Sequence, residues 1–331
     1  MVSELNKVSV ITIGAALVLR KFAELSNAKI SFNNILNAIE SHYDGKGFSM
    51  LEIDKILKNW GFDTFAARIK EEALDQIDFP VISHIIENDE EEFVLLTNYQ
   101  DGIVSFIEPG SMEKHESLSE FRNKWQGIVL MADAQEGIVE NDFENKQTEH
   151  EKVKNNFIKT KMKFVDNFFS DEECDQLIQI SKSEMKRSLV TNGYHSAVSN
   201  RRTSYSATLR DMDQTLKDNI RLKSTQLLGD LPFEKFEEFQ CVSYDKYQEF
   251  KAHFDAGKGM KRPYTILVYL NENFDGGETY FPLLDLVVKP KKGKAIMFHN
   301  LEPDESINIY SFHAGLKVEN GIKFACNIWV R

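Results

Sequence analysis

The feature that most constrains the fold is a set of metal-ligand side chains that stand far apart in the sequence. His253 and Asp255 are separated by one residue, and His313 follows much later in the chain. In an extended segment alternate side chains share a face, so His253 and Asp255 would point in the same direction. Two imidazoles and a carboxylate can hold iron(II) and leave positions open for a co-substrate and dioxygen. The strand that carries His313 would have to fold back over the first, although two surface histidines and an ordinary aspartate would give the same pattern.

A lysine near the carboxyl end indicates a pocket built by strands. Over residues 323–330, alternation would put Lys323, Ala325, Asn327 and Trp329 on one face of a strand. A lysine that points into a barrel is costly unless an anion pairs with it. A dicarboxylate co-substrate would supply that anion.

Several motifs occur in the order found in a known family. They are Arg262-Pro-Tyr-Thr-Ile-Leu-Val-Tyr-Leu270, Asp275-Gly-Gly-Glu-Thr-Tyr-Phe-Pro282, Val288-Lys-Pro-Lys-Lys-Gly293, Ala295-Ile-Met-Phe-His-Asn-Leu301 and Ser311-Phe-His-Ala-Gly315. In these motifs the chain resembles the prolyl 4-hydroxylases, over roughly residues 162–331. The resemblance implies a double-stranded β-helix, or jelly roll, with flanking helices. It also implies a dioxygenase that uses iron(II), 2-oxoglutarate and O2, with a requirement for ascorbate (vitamin C) left open.

The resemblance also implies roles for individual side chains. The expected roles are iron binding and catalysis for His253, Asp255 and His313, co-substrate binding for Tyr244, Lys323 and Trp329, and substrate binding for Arg202, Glu237 and Arg262. Ordinary strand packing would also explain Tyr244 and Trp329. Phe250 stands where the family often has a tyrosine, so one polar substrate contact of the family is missing.

Composition excludes some classes of protein. The net charge of −12 argues against a nucleic-acid groove, which needs a basic stripe. The apolar run 8–19 is too short to span a bilayer, and no cleavage site follows it, so neither a signal peptide nor a membrane partner is expected. The three cysteines show no paired or metal-binding spacing, which favours a reducing compartment. These features predict a cytoplasmic globular protein.

The first 132 residues are predicted to form a separate α+β domain. Helical periodicity covers residues 11–25 and 32–42, and a capping-box pattern of Ser49 and Glu52 begins a third helix that Gly61 closes. After Gly61 the spacing of the apolar residues changes from the helical period to the two-residue period of strands. Short β-rich runs cover residues 80–86, 92–97, 102–107 and 127–132, with a short helix predicted over 119–125. Helices followed by antiparallel strands predict an α+β layout.

This domain resembles the papain-like cysteine peptidases that remove double-glycine leaders from bacteriocin precursors. The phrases that carry the resemblance are Phe79-Pro-Val-Ile-Ser-His84, Glu92-Phe-Val-Leu-Leu96, Ile107-Glu-Pro-Gly110 and Trp125-Gln-Gly127. Ile13, Glu92 and Glu108 stand where the family has its catalytic cysteine, histidine and aspartate. Without a thiol and its base, cysteine catalysis cannot proceed. We therefore expect no peptidase activity, a structural role for His84, and a domain kept for binding peptides.

The expected organisation is a peptidase-like domain over residues 1–132, an acidic linker over 133–158 and an oxygenase domain over 159–331. The linker segment is rich in charge and poor in large apolar residues, which favours a flexible segment over a solvated helix.

Three functions stay open. The first is hydroxylation of a peptidyl residue, expected to be proline, in a ribosomally made precursor peptide that the amino-terminal domain binds through a double-glycine leader. The second is hydroxylation of a free amino acid or another small molecule. The third is a non-catalytic peptide-binding or oxygen-sensing protein, which the complete triad and Lys323 disfavour. A free amino acid would need no leader-binding domain, so the first is preferred; the oligomeric state stays open.

Overall fold

The structure is a computed structural model that describes residues 10–43, 48–87, 90–134, 137–191, 196–229, 231–257 and 259–331. The chain divides into two compact units, Met1–Val153 and Lys154–Arg331. None of the helices in these described ranges is both long and apolar enough to cross a membrane.

The amino-terminal unit places helices before a mixed α and β region, as predicted. Its helices are α1 (Val10–Leu25), α2 (Phe32–His42), α3 (Met50–Asn59) and the short α4 (Leu118–Phe121). Its strands are β1 (Phe62–Arg68), β2 (Val81–Glu87), β3 (Glu90–Gln100), β4 (Ile103–Ile107), β5 (Glu113–Ser117) and β6 (Trp125–Ala134). The strands form an antiparallel sheet in the order β1-β6-β2-β3-β4-β5.

Local chemistry explains where the amino-terminal helices begin and end. Ser31 caps α2 by accepting a hydrogen bond from the backbone N–H of Asn34, and Ser49 with Glu52 forms the predicted capping box of α3. Gly61, at φ +95°, reverses the chain after α3. The sequence pattern did not predict β1 and β5, because both are edge strands with largely exposed side chains and so lack a clear apolar alternation.

The carboxyl-terminal unit is the expected double-stranded β-helix with flanking helices. Its helices are α6 (Asp171–Lys182) and α7 (Gln214–Leu228). Its strands are β7 (Met162–Val165), β8 (Lys186–Arg187), β9 (Val190–Thr191), β10 (Ser196–Ala197), β11 (Tyr205–Thr208), β12 (Gln240–Tyr244), β13 (Phe250–His253), β14 (Tyr264–Tyr269), β15 (Asp275–Gly276), β16 (Thr279–Phe281), β17 (Leu286–Val288), β18 (Ala295–His299), β19 (His313–Gly315), β20 (Val318–Asn320) and β21 (Lys323–Val330).

Two antiparallel sheets build the barrel. The major sheet has the order β7-β18-β14-β21-β12-β11-β8, and the minor sheet has the order β13-β19-β16-β17. The alternation predicted for β21 is observed. Cys326 and Ile328 lie in a core cluster with Leu177 of α6 and Ile220 of α7, whereas Ala325 packs in a second cluster with Tyr244. The major sheet therefore buries one face under helices and turns the other face, with Lys323, towards the barrel interior.

Of the two alternatives for residues 133–158, the described residues favour the helix over the flexible linker: β6 extends to Ala134, and helix α5 covers Phe143–Lys161. His150, Lys154 and Phe157 are buried and recur at helical spacing. Two of these three are polar, so the buried stripe did not stand out as an apolar one. Lys154 binds Asp285 at 2.7 Å.

The buried end of α5 can be tested by truncation. Phe157 is 4% exposed and packs against Tyr310, with ring centroids 5.7 Å apart. Phe157→Ala should lower the free energy of unfolding of its unit by about 3–5 kcal/mol, because it leaves a cavity in a packed core. On the same helix Val153 is 43% exposed. Val153→Ala should change stability by less than about 0.5 kcal/mol in the same denaturant titration. Equal values for the two variants would mean that α5 does not pack as described.

Candidate active site

The structure brings the three predicted metal ligands together. His253 ends β13 and pairs directly with His313, which begins β19. The ligand atoms of His253, Asp255 and His313 all lie within 4.8 Å of one another. Nε2 of His253 is 3.6 Å from Oδ1 of Asp255, and Nε2 of His313 is 3.8 Å from Oδ2. The donor set is thus assembled at one point of the minor sheet.

Backbone carbonyls fix the tautomer of both imidazoles. Nδ1 of His253 lies 2.9 Å from the carbonyl oxygen of Lys251, and Nδ1 of His313 lies 2.8 Å from that of Ser311. A carbonyl can only accept, so Nδ1 carries the proton and Nε2 keeps its lone pair for a metal. Burial, followed by the charge of His253, lowers the pKa of His313 to about 4. His313 is therefore neutral at physiological pH, as a metal ligand must be.

Asp255 supplies the negative charge of the cluster. Burial opposes its ionisation, but the hydrogen bond with His253 and the charges of both histidines hold the pKa of its carboxyl well below the ordinary value. One carboxylate and two imidazoles whose Nε2 atoms face it fit the facial donor set that iron(II) prefers.

Aromatic rings hold the imidazoles in place. Phe250 stacks on His253 with ring centroids 3.5 Å apart, and Phe298 meets His313 edge-on at 4.9 Å. The guanidinium of Arg202 lies 4.9 Å from the centroid of Phe250. Arg202 is buried, and it donates hydrogen bonds to the side chains of Ser204 and Gln240 and to the carbonyl of Leu189. Arg202 thus packs on the ring that stacks against the first histidine, and its contact with substrate stays a prediction.

A buried lysine lies at the start of β21. Lys323 is 3% exposed and stands opposite Tyr244 in the β12–β21 register. Its ammonium donates to the carbonyl of Gly277 at 2.7 Å and lies 5.1 Å from the Tyr244 ring centroid. Burial lowers the pKa of Lys323 to about 8, an effect that the charge of Glu278 partly offsets.

The surroundings of Lys323 suit an anionic ligand. Within the described residues no carboxylate lies within ion-pair distance of its ammonium, so this buried charge has no direct anionic partner in the protein. A Cβ on Gly315 would be 3.9 Å from both Nζ of Lys323 and the hydroxyl oxygen of Tyr244. The two polar groups therefore converge on a space that glycine leaves free. A ligand carboxylate there would meet one cation and one hydroxyl.

The remaining predicted residues form a second group near the end of β21. The guanidinium of Arg262 lies 3.8 Å from the ring centroid of Trp329 and binds both carboxylate oxygens of Glu237 at 2.8 Å. Nε1 of Trp329 is buried and has no hydrogen-bond partner in the described part of the chain. Arg262 and Glu237 thus bind each other, and a role for either in substrate binding stays a prediction.

The sequence pattern missed the polar residues behind Asp255. Thr265 donates from its hydroxyl to Oδ2 of Asp255 at 2.7 Å, and Nδ2 of Asn300 donates to the Thr265 hydroxyl at 2.8 Å. Both residues are buried. A hydroxyl at a predicted core position of the Arg262–Leu270 motif was a signal, because a buried hydroxyl requires a partner.

In the amino-terminal unit, two of the positions that the resemblance aligns with a peptidase site, Ile13 and Glu108, are buried. Ile13 is buried in α1, and a Cβ on the adjoining Gly14 would lie 3.4 Å from Pro109. Glu108 is buried and binds Lys114 at 2.7 Å. His84 lies 3.6 Å from Glu91 at a partly buried position of β2.

Comparison with known proteins finds a family model that matches part of each unit. Residues 239–331 match the model of the 2OG-Fe(II) oxygenase superfamily, and residues 17–137 match that of the Peptidase C39 family. Prolyl 4-hydroxylase 2 of Arabidopsis thaliana is 32% identical over 209 residues, which cover 54% of this chain and 70% of that protein. Prolyl 4-hydroxylase 5 of the same plant is 31% identical over 193 residues, covering 49% and 65%.

The chain belongs to the prolyl 4-hydroxylase family. It is a 2-oxoglutarate-dependent dioxygenase that uses iron(II) and O2. Both resemblances inferred from the sequence are confirmed: that of the carboxyl-terminal unit to the oxygenases, and that of the amino-terminal unit to the peptidases.

Two solved structures are similar to the two units. The 2-oxoglutarate complex of a viral collagen prolyl hydroxylase from Paramecium bursaria Chlorella virus-1 is 28% identical, covering 52% of this chain and 96% of that one, with a TM-score of 0.42. The peptidase domain of Streptococcus ComA is 20% identical, covering 38% of this chain and 96% of that one, with a TM-score of 0.34.

Proposed function

We propose that His253, Asp255 and His313 bind the catalytic iron(II). The observation that carries the proposal is the cluster of their ligand atoms within 4.8 Å, with both Nε2 atoms left free by carbonyl partners of Nδ1. Lys323 and Tyr244 bind the distal carboxylate of 2-oxoglutarate in this proposal, and Trp329 lines the pocket. Iron(II) with 2-oxoglutarate and O2 supplies the oxidising power for hydroxylation of an unactivated carbon, and the protein supplies ligands, orientation and a water-poor pocket.

Removal of one ligand tests the metal assignment. His313→Ala should abolish succinate formation from 2-oxoglutarate, because an imidazole ligand is lost while the barrel stays folded. His299→Ala is the matched control: His299 is half-buried beside Tyr264 and is outside the ligand cluster. Succinate release and the circular dichroism spectrum would be measured for both variants. Wild-type succinate formation by His313→Ala would exclude the assignment.

The pKa of Lys323 gives the co-substrate assignment a pH signature. A pKa of about 8 in the free site means that Lys323 is cationic below pH 8 and loses its proton above it. Since only the cation attracts the carboxylate, the Kd for 2-oxoglutarate should rise about ten-fold between pH 7 and pH 9. In Lys323→Ala the affinity should be weaker by one to two decades at pH 7 and lose this pH dependence, since a charge-assisted hydrogen bond contributes about 1.5–3 kcal/mol.

Lys323→Arg separates charge from shape. A guanidinium stays protonated throughout this pH range, so the variant should bind 2-oxoglutarate without the alkaline loss. Its affinity at pH 7 should still fall below that of the wild type, because a planar fork does not reproduce a point charge. An alkaline loss that persists unchanged in Lys323→Ala would mean that another group binds the carboxylate.

We infer that the substrate is a peptidyl residue, with proline as the expected one. The first support is the relation to prolyl 4-hydroxylases. The second is the group formed by Trp329, Arg262 and Glu237. In this proposal Arg262, Glu237 and Arg202 contact the peptide, as the family pattern implies. A free amino acid or another small molecule is the competing substrate class.

We propose further that the amino-terminal unit binds the leader of a ribosomally made precursor peptide. The support is its match to the Peptidase C39 family together with Ile13, Glu92 and Glu108 at the expected catalytic positions, a combination that retains the fold without a nucleophile. Anchoring the leader would make the second encounter intramolecular, at an effective concentration of up to about millimolar. The three cysteines are free and buried, which supports a cytoplasmic location for this reaction.

The leader proposal predicts a difference between two substrates of the full-length protein. A precursor with a double-glycine leader should be hydroxylated at lower concentration than the same core peptide without it. Free leader added in excess should remove that advantage and leave the leaderless rate unchanged. Mass spectrometry should find the leader uncut in each case. Superimposable rate curves for the two peptides would exclude leader binding, and turnover of free proline with no peptide turnover would favour the competing substrate class.

A further inference from the structure

We infer that Thr265 and Asn300 are positioning residues that orient the Asp255 carboxylate towards the metal. The inference rests on the proposed iron site and concerns groups that do not touch the metal themselves. Its basis is a directed chain of two hydrogen bonds, from Nδ2 of Asn300 to the Thr265 hydroxyl at 2.8 Å and from that hydroxyl to Oδ2 of Asp255 at 2.7 Å.

The direction of the chain follows from the chemistry of its members. The ionised carboxylate of Asp255 can only accept, so the single proton of the Thr265 hydroxyl must point at Oδ2. The hydroxyl oxygen is then left to accept, and the amide nitrogen of Asn300 is the donor that it meets. The opposite amide orientation would present an oxygen to Thr265 and would compete with Asp255 for the same proton. Asn300 therefore enforces the donation from Thr265 to Asp255.

The backbone holds both residues firmly. Thr265 lies on β14, the strand between β18 and β21 in the major sheet, opposite Phe298 on one side and Trp329 on the other. Asn300 donates its backbone N–H to the carbonyl of Pro263 at 2.8 Å and accepts from the N–H of Asn308 at 2.9 Å. Thr265 is 1% exposed and Asn300 is fully buried. Water therefore does not compete for these bonds, and their geometry is set by the sheet.

The consequence concerns which carboxylate oxygen is offered to the metal. Oδ2 accepts from Thr265 and lies 3.8 Å from Nε2 of His313, whereas Oδ1 lies 3.6 Å from Nε2 of His253 and has no such hydroxyl donor among the described residues. Without the Thr265 hydroxyl the carboxylate would be free to rotate, and one oxygen would be buried without a donor. Groups that orient a metal ligand in this way typically change metal affinity by about 10- to 100-fold when they are removed. We therefore assign to the pair a share of the metal affinity rather than a contact with substrate.

Two substitutions at Thr265 separate a hydrogen-bonding role from a packing role. Thr265→Val keeps the shape and removes the hydroxyl, whereas Thr265→Ser keeps the hydroxyl and removes the methyl group. The probe is Mn(II) alone, titrated into the metal-free full-length protein and followed by electron paramagnetic resonance. Thr265→Val should bind Mn(II) about 10- to 100-fold more weakly, and Thr265→Ser should bind close to the wild type. A residue that only packs would give the reverse order, which would overturn the inference.

Asn300 provides an independent measurement if Thr265→Val does not fold. Asn300→Ala removes the donor to Thr265 and leaves β14 intact. Asn300→Ala should weaken Mn(II) binding by less than Thr265→Val does. The Thr265 hydroxyl can still donate to Asp255 in this variant, although it is no longer held in that orientation by Asn300. Wild-type Mn(II) affinity in a folded Asn300→Ala, together with wild-type affinity in any folded Thr265→Val, would overturn the inference. Thermal unfolding of each metal-free variant establishes that the fold is retained.

The same titration distinguishes failure of the inference from failure of the iron site. His313→Ala should lose Mn(II) binding if the triad is the metal site. If His313→Ala binds Mn(II) like the wild type, the proposed triad itself is wrong. If His313→Ala loses binding while Thr265→Val retains it, the triad stands and only the positioning role is excluded.

Discussion

The pairing of β13 with β19 is the constraint on which the proposed metal centre depends. It places His253 directly opposite His313, and β19 is held on its other side by β16, with Thr279 opposite Gly315. Side chains in a strand alternate with a period of two, so a slip of one residue in either pairing would turn His313 out of the cluster. Asp255 follows His253 beyond the end of β13 and is held from the major sheet by Thr265. The donor set therefore exists only where the two sheets face each other.

The interior between these sheets contains charges that a purely structural core would avoid. Lys323 is buried without a carboxylate partner in the described residues, and Arg202 is buried on the ring of Phe250. Each charge carries a desolvation cost that its neutral hydrogen bonds offset only in part. Ligands that bind the folded state alone would recover part of this cost by mass action. Two buried cations of the barrel, Lys323 and Arg202, thus lie in the interior where an anionic co-substrate and a metal would bind.

Local periodicity explains which parts could be predicted from the sequence. The alternation of β21 put Lys323 and Trp329 on the interior face, and His253 with Asp255 needed only their spacing. Thr265 and Asn300 could not be assigned in this way, because their hydrogen bonds join residues distant in the sequence and depend on the register of β14. Helix α5 was missed for a related reason: its buried positions include His150 and Lys154, whose polar side chains hide the stripe. Polar residues that are buried because they bind a partner do not produce the apolar periodicity from which burial is predicted.

The amino-terminal unit also contains polar side chains that are buried together with their partners. Glu108, which the sequence resemblance aligns with a catalytic aspartate of the peptidases, is 3% exposed between Lys114 at 2.7 Å and Lys124 at 3.9 Å. Lys124 in turn binds Glu116 at 2.8 Å and lies 4.7 Å from the ring centroid of Phe106. Removing one partner of such a buried network leaves an uncompensated charge, so loss of the acid at this position would destabilise the unit. The leader proposal requires a unit that stays folded without peptidase chemistry, and this buried network of ion pairs is part of such a fold.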